Sequence, residues 1–331
     1  MTQEALFGEL RNILQRPASA KTWGLLCKHL DLWDDDTLAQ LALPYALDIV
    51  RQWPDDVARI PPDRWVKLLL EGRDVAQLEL LRRLVVLKRG LSHEQMSALA
   101  ASPRLANLVE LSFHKNKLGD EGAAALASSP HLQNLTCLNL FDNHIGAAGA
   151  AALAASPHLT NLTELSLHHN IGDEGAAALA TSPHLTNLKS LSLASNHISA
   201  AGAAALAASP HLTRLASLDL SHNHIGPDGA AALAASPHLA ALTRLSLSTA
   251  QLGDAGVAAL AASPHLKDLT TLYLEDNRLG DEGAAALAAS PHLTNLTILL
   301  LSNNHIGPAG AAALAASPHL HESIRAQWRR P

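Results

Sequence analysis

Histidine is the side chain here with the widest chemistry, by proton transfer or metal ligation, and it recurs in two rows. Eight copies follow proline, at His131, His158, His184, His211, His238, His265, His292 and His319, and four follow asparagine, at His144, His197, His224 and His305. In stacked units, equivalent rings would stand about 5 Å apart. A metal site needs ligands that converge on one point with a second shell behind them, whereas a row presents a line. The rows are therefore read as structural, each ring packed over its loop and bonding backbone, with no metal. Paired carboxylates at Asp120-Glu121, Asp173-Glu174 and Asp281-Glu282 recur at the starts of alanine-rich stretches. Capping of helix N-termini accounts for them better than acid–base chemistry does. There is no G-x-x-x-x-G-K-[ST], no H-E-x-x-H and no C-x-x-C, and the two cysteines, Cys27 and Cys137, make no disulfide framework. Catalysis needs one-off residues converging in a pocket, and periodic residues do not supply that. No catalytic residue and no cofactor is expected.

The elements that carry these residues follow from a repeat. Nine Ser-Pro pairs, with prolines from Pro103 to Pro318, are spaced 27 residues apart except for one interval of 26. A fixed period of that size marks a solenoid, in which each unit buries its apolar face only against its neighbours. Leucines two apart, as at Leu272 and Leu274, face one side of a strand. The stretch that follows, Asp281-Glu282-Gly283 and an alanine run, favours a helix that Ser-Pro then stops. Each unit is thus a strand, a turn, a short helix and a return loop.

The units read L-x-x-L-x-L-x-x-N-x-I/L-G-D-E-G-A-A-A-L-A-A-S-P-H-L, and this pattern resembles the leucine-rich repeat family, with a helical half similar to its ribonuclease-inhibitor-like subclass. The alanine-rich helices are similar to those of bacterial GALA-type effectors. The resemblance covers eight units, from Leu108 to Leu320, with a degenerate ninth upstream at Leu81, Leu84, Val86 and Leu91, where Arg89 replaces asparagine. It implies a right-handed α/β solenoid with parallel strands on a concave face, short helices on a convex face, and a protein partner on the concave side. The asparagines Asn116, Asn143, Asn170, Asn196, Asn223, Asn277 and Asn304 are expected to point inward and satisfy turn backbone that water cannot reach. Ala250 breaks that row in the sixth unit, and the third unit lacks the residue between Asn170 and Ile171.

Residues interleaved with the strand leucines face the partner, and most are serines. Two groups differ: His114, Lys115, Phe141, Asp142, His168 and His169 on three adjacent strands, and Arg244, Tyr273, Glu275 and Asp276 on two. Aromatic and arginine anchors dominate protein–protein hot spots, so these are the candidate contact residues. Ile298 and Leu300 on the last strand are apolar and outward, and are assigned to contact with the C-terminal tail or a second subunit.

Residues 1–80 are not repeats and hold Trp23, Trp33, Trp53 and Trp65. Apolar spacing predicts helices over 4–15, 19–30, 35–52 and 63–71, forming an all-α cap on the solenoid at 81–320. Residues 321–331 form a basic tail whose Trp328 folds back on the last unit. The alternative is a two-part adaptor or effector. In that reading the N-terminal module recruits machinery and the repeats select a target, and Leu43-Pro44 before a helix resembles the F-box of GALA-type proteins. A structural or designed array without a partner is the third reading. Residues 1–92 carry equal numbers of basic and acidic groups, so the net charge of −6 lies wholly in the remainder of the chain. There is no basic stripe for nucleic acid, no signal-peptide pattern and no apolar run of membrane-spanning length. A monomeric cytoplasmic protein is expected, with secretion as an effector left open.

Overall fold

The computed structural model describes residues 2–54 and 60–329. Helices α1 (Gln3–Leu14) and α2 (Ala20–Leu30) are followed by α3 (Asp35–Thr37), a π-helical turn at Leu38–Ala42, α4 (Leu43–Val50) and α5 (Asp63–Leu70). These match the four predicted helical stretches, the third interrupted by the π turn. Asp34 starts that run by accepting from Thr37 N–H at 2.9 Å, and the contact lowers its carboxyl pKa. All four tryptophans of this segment are buried. Trp23 donates to the Ile60 carbonyl and Trp65 to the Asp31 carboxylate, each at 2.7 Å.

Nine described strands then form one parallel sheet in strict chain order. They are β1 (Arg83–Leu87), β2 (Glu110–His114), β3 (Cys137–Leu140), β4 (Glu164–Leu167), β5 (Ser190–Ser192), β6 (Ser217–Asp219), β7 (Arg244–Ser246), β8 (Thr271–Tyr273) and β9 (Ile298–Leu300). Each is followed by a helix: α6 (His93–Ala100), α7 (Gly119–Ala127), α8 (Ala147–Ala154), α9 (Gly172–Ala180), α10 (Ala200–Ala207), α11 (Gly226–Ala235), α12 (Gly253–Ala261), α13 (Asp281–Ala289) and α14 (Pro308–Ala316), with α15 (Glu322–Trp328) closing the chain. The degenerate unit supplies β1, with Leu84 and Val86 buried like the leucines of full units. One continuous core runs from Leu6 to Ile324, and Trp328 is half-buried against it; Arg330 lies outside the described residues. Among the described residues no helix is long and apolar enough to cross a membrane.

The stack is joined by side chains that serve the backbone one unit away. Asn277 is fully buried. Its Oδ1 accepts from Ala250 N at 3.0 Å and Leu252 N at 3.2 Å, while Nδ2 donates to Leu247 O at 2.7 Å. Asn116, Asn143, Asn196, Asn223 and Asn304 occupy equivalent places. Asn170 does not. The missing residue makes the chain one step short, so Asn170 takes the second left-handed turn position (φ 75°), occupied elsewhere by residues such as His144, and its side chain is exposed. The rung it was expected to fill is absent. Ala250 is buried at the other break; its carbonyl accepts from Gly226 N at 3.0 Å, but it offers no side-chain acceptor to the unit before it.

The serines before proline form a second ladder that the periodicity did not reveal. Ser263 Oγ donates to Ala234 O, at the C-terminus of the preceding helix, and accepts from His265 N–H at 3.2 Å. The serines of the seven other full units donate in the same way, and all of them but Ser236 also accept from the histidine amide. The expectation that the histidine rings bond backbone is therefore corrected. In the proline-following row it is the amides that bond, to serine, in every copy but His238, while the half-buried rings make no hydrogen bond among the described residues.

The acidic residues at helix starts do cap helices, but the helix of the next unit. Asp254 Oδ1 accepts from Gly280 N at 2.7 Å and Gly283 N at 2.9 Å, and Asp120, Asp173 and Asp281 do the same. The helices so capped begin from an extended residue, namely Gly146, Ser199, Gly280 or Gly307. Where the upstream position is His93, Ala147, Ala200 or Pro227, no carboxylate is on offer. The turn glycine, Gly119, Gly172, Gly226 or Gly253, then adopts a left-handed φ between 58° and 63°. The geometry of each turn is set one period upstream. Gly283 must also stay small, because a Cβ there would sit 2.5 Å from Asp254 Oδ1.

Two substitutions and one control test these ladders by thermal unfolding. Asp254→Ala should cost about 1–2 kcal/mol by stranding two helix-start donors, whereas Asp228→Ala, whose exposed side chain makes no bond, should stay within about 0.5 kcal/mol. Ala250→Asn should restore the missing rung and raise stability by about 1 kcal/mol.

Candidate protein-binding face

The alternation of β2, β3 and β4 turns every second side chain onto the concave face, and the parallel register aligns equivalent positions. The structure brings the first candidate group together. His114 and Phe141 rings lie 4.4 Å apart between centroids in an edge-on arrangement, and Phe141 and His168 lie 4.1 Å apart. His169 approaches Phe141 at 6.4 Å. Asp142 sits between Lys115 Nζ at 3.8 Å and His169 Nε2 at 3.5 Å. Lys115, Asp142 and His169 all take left-handed φ values, of 59°, 56° and 72°. That conformation aims them along the rim above the aromatic stripe. Leu87, in register with His114 on β1, extends the stripe and is 54% exposed. Sequence reading passed over Leu87 because the degenerate unit hid its register, although its place four residues after Arg83 mirrors His114 after Glu110.

His168 is the electrostatic centre of this group. Its Nε2 is 3.1 Å from Ser192 Oγ, which donates in turn to Asp219 Oδ2 at 3.4 Å. Burial pushes its pKa down to about 4, against the opposing pull of Asp219 and with help from His169 and His114. The ring is thus neutral at ordinary pH, and with Ser192 donating to Asp219, the Nε2–H donates to Ser192. That order does not activate a nucleophile. A reactive serine gives its proton to a histidine that a carboxylate orients, and here the carboxylate holds the serine. Cys137, on the adjacent strand, is also unreactive. Burial, Glu164 and Glu110 raise its thiol pKa to about 12, and burial does the same for Cys27. Among the described residues no three His, Cys, Asp or Glu side chains converge as metal ligands.

The second group is smaller. Arg244 Cζ lies 5.7 Å from the Tyr273 ring centroid, within cation–π range. Glu275 is tied to Ser248 Oγ at 2.8 Å, and Asp276 is left-handed at the turn. Between the groups lie Ser190, Ser192, Ala194, Ser217 and Ser221. Three strand spacings separate β4 from β7, about 15 Å of small side chains. Ser112, Ala194, Ser246 and Thr271, interleaved with the strand leucines and so expected to face a partner, are buried instead. Ile298 and Leu300 remain exposed, and the described residues of the C-terminal tail do not cover them.

The pKa of His168 makes a stability prediction. The unfolded imidazole takes a proton near pH 6.5 and the folded one only near pH 4, so the unfolded state binds more protons between them and stability falls with pH across that window. Melting temperatures measured from pH 7 to pH 4 should fall more steeply for the native chain than for His168→Gln. Equal slopes would show that the ring is not held neutral.

Eight segments of the chain, residues 104–127, 131–154, 158–180, 184–207, 208–234, 238–261, 265–288 and 292–315, match the family described as Leucine Rich repeat, and together they make up more than half of it. No curated protein matches the chain. Similar solved structures include the yeast Rad7–Elc1 complex, at 18% identity over 86% of both chains with a TM-score of 0.38. An internalin of Listeria monocytogenes is 22% identical over 78% of this chain and 92% of that one, with a TM-score of 0.32. The ectodomain of the Arabidopsis receptor kinase HAESA, in complex with a peptide hormone, is 20% identical over 63% of this chain and 32% of that one, with a TM-score of 0.38.

Proposed function

The chain belongs to the leucine-rich repeat family, and from that premise we propose that it is a non-enzymatic scaffold that holds a protein partner on its concave face. The observation that carries this reading is the stripe of Leu87, His114, Phe141 and His168, an apolar and aromatic row on a face otherwise lined with serine. Arg244, Tyr273 and Glu275 are the second contact. A rigid sheet presents both without ordering cost, and specificity comes from the few side chains that do not repeat. In this reading residues 1–80 cap the solenoid at 81–320, residues 321–331 close its far end, and the repeats are of the ribonuclease-inhibitor-like subclass, which their helical half supports.

One observation favours the adaptor as a second reading. The outer face of α2 carries a groove of about 610 Å³ bordered by Trp23, Gly24, Leu32, Ile60 and Pro61, and Leu32 and Ile60 are 57% and 46% exposed. A cap with no other task has no use for that surface.

Affinity capture with the intact chain separates these readings. Phe141→Ser/Tyr273→Ser should lower partner recovery at least about tenfold, while Ser190→Ala/Ser217→Ala in the trough should leave it unchanged. Undiminished recovery by the aromatic double variant would remove the concave assignment. A partner lost on Leu32→Asp but kept by the aromatic double variant would establish the adaptor.

A further inference from the structure

The two ends of the solenoid differ. Before β1 the helical segment continues the core through Leu78, Leu80 and Leu81. Gln95 Nε2 donates to Leu70 O at 3.1 Å, and Arg89 pairs with Asp63 across the junction. After β9 come α14, the helix of the last unit, and then α15. Its Ser323 Oγ donates to Thr297 O at 3.0 Å, and Leu320 and Ile324 are buried beneath it. Among the described residues the rest of the β9 edge is bare. In earlier units the corresponding amides find the next strand: Leu247 N and Thr249 N donate to Tyr273 O and Glu275 O, and Leu274 N and Asp276 N donate to Leu300 O and Ser302 O. Their equivalents just after β9, Leu301 N and Asn303 N, have no partner among the described residues. Beside them, on the concave side, Ile298 and Leu300 are 43% and 36% exposed, where β5 carries Ser190 and Ser192.

We propose that this edge pairs with the same edge of a second copy of the chain, the two β9 strands meeting antiparallel about a two-fold axis. A row of unpaired strand amides is a template for another strand. The edge is also complementary to itself. The free amides belong to odd-numbered residues, so every antiparallel register that satisfies them in both copies places Ile298 and Leu300 of both on one face. Those four side chains then cover one another. Tyr273, in register with Leu300, borders the patch. Helices cover the other end, so head-to-tail growth has no second edge to use and the assembly closes as a dimer. A three-residue strand makes this a weak, concentration-dependent dimer in place of the expected monomer.

Sedimentation of the full chain over roughly two decades of concentration tests this. The native chain should pass from monomer to dimer. Ile298→Ser/Leu300→Ser should weaken association at least about tenfold at an unchanged melting temperature, because β5 already accommodates serine at these positions. Phe141→Ser should associate like the native chain. The proposal is overturned by a native chain that stays monomeric, by species that grow beyond a dimer, by a dimer that survives the double serine variant, or by one that Phe141→Ser abolishes.

Discussion

A backbone group buried between stacked units must be hydrogen-bonded, and in a one-dimensional fold the bonding atom must come from a neighbouring unit. The rest of the structure depends on that constraint. The asparagine ladder answers it at the turn after each strand, the serine ladder at the end of each helix, and the upstream aspartate at four of the helix starts. Each of these residues makes at least one bond to a neighbouring unit. Stability is therefore cooperative along the stack, and a change in one unit is felt in the next.

This explains which parts were legible in the sequence. Strand leucines and the alanine run speak for themselves, because alternation and helix propensity are local, so the fold class and the helices of residues 3–70 could be read directly. What a residue does for its neighbour is not local. Asp254 reads as a helix-start residue of α12, yet its bonds go to Gly280 and Gly283 at the start of α13. Ser263 reads as part of a helix stop, yet its hydroxyl holds the carbonyl of Ala234 one unit back. Asn170 has the right spacing from Leu167 and fails because the residue after it is missing, a deficit that only the geometry of the turn converts into an exposed side chain.

The candidate site was legible for a related reason. Side chains on the concave face bond little of the stack, so the repeat does not constrain them, and departures such as Phe141 and Tyr273 stand out against serine. Leu87 escaped notice because its unit lacks the asparagine that fixes register. The coupling of His168 to Ser192 and Asp219 joins side chains 24 and 27 residues apart, and only the parallel register of β4, β5 and β6 places them side by side.

The two breaks in the asparagine ladder fall in the units that carry the two contact groups. The shortened turn after β4 is the segment that presents His169 to Asp142 and Phe141, and Ala250 follows β7, which bears Arg244. A full turn of the standard form would place a buried rung where the chain now runs directly from Asn170 to Ile171, and the rim residues before it would keep the spacing of every other unit. Giving up the rung frees those residues from the common register. The stack tolerates this because intact pairs of rungs flank each break: Asn116 with Asn143, Asn196 with Asn223, and Asn277 with Asn304. A repeat array can thus give up regularity in single units, and it does so where its surface differs from the consensus.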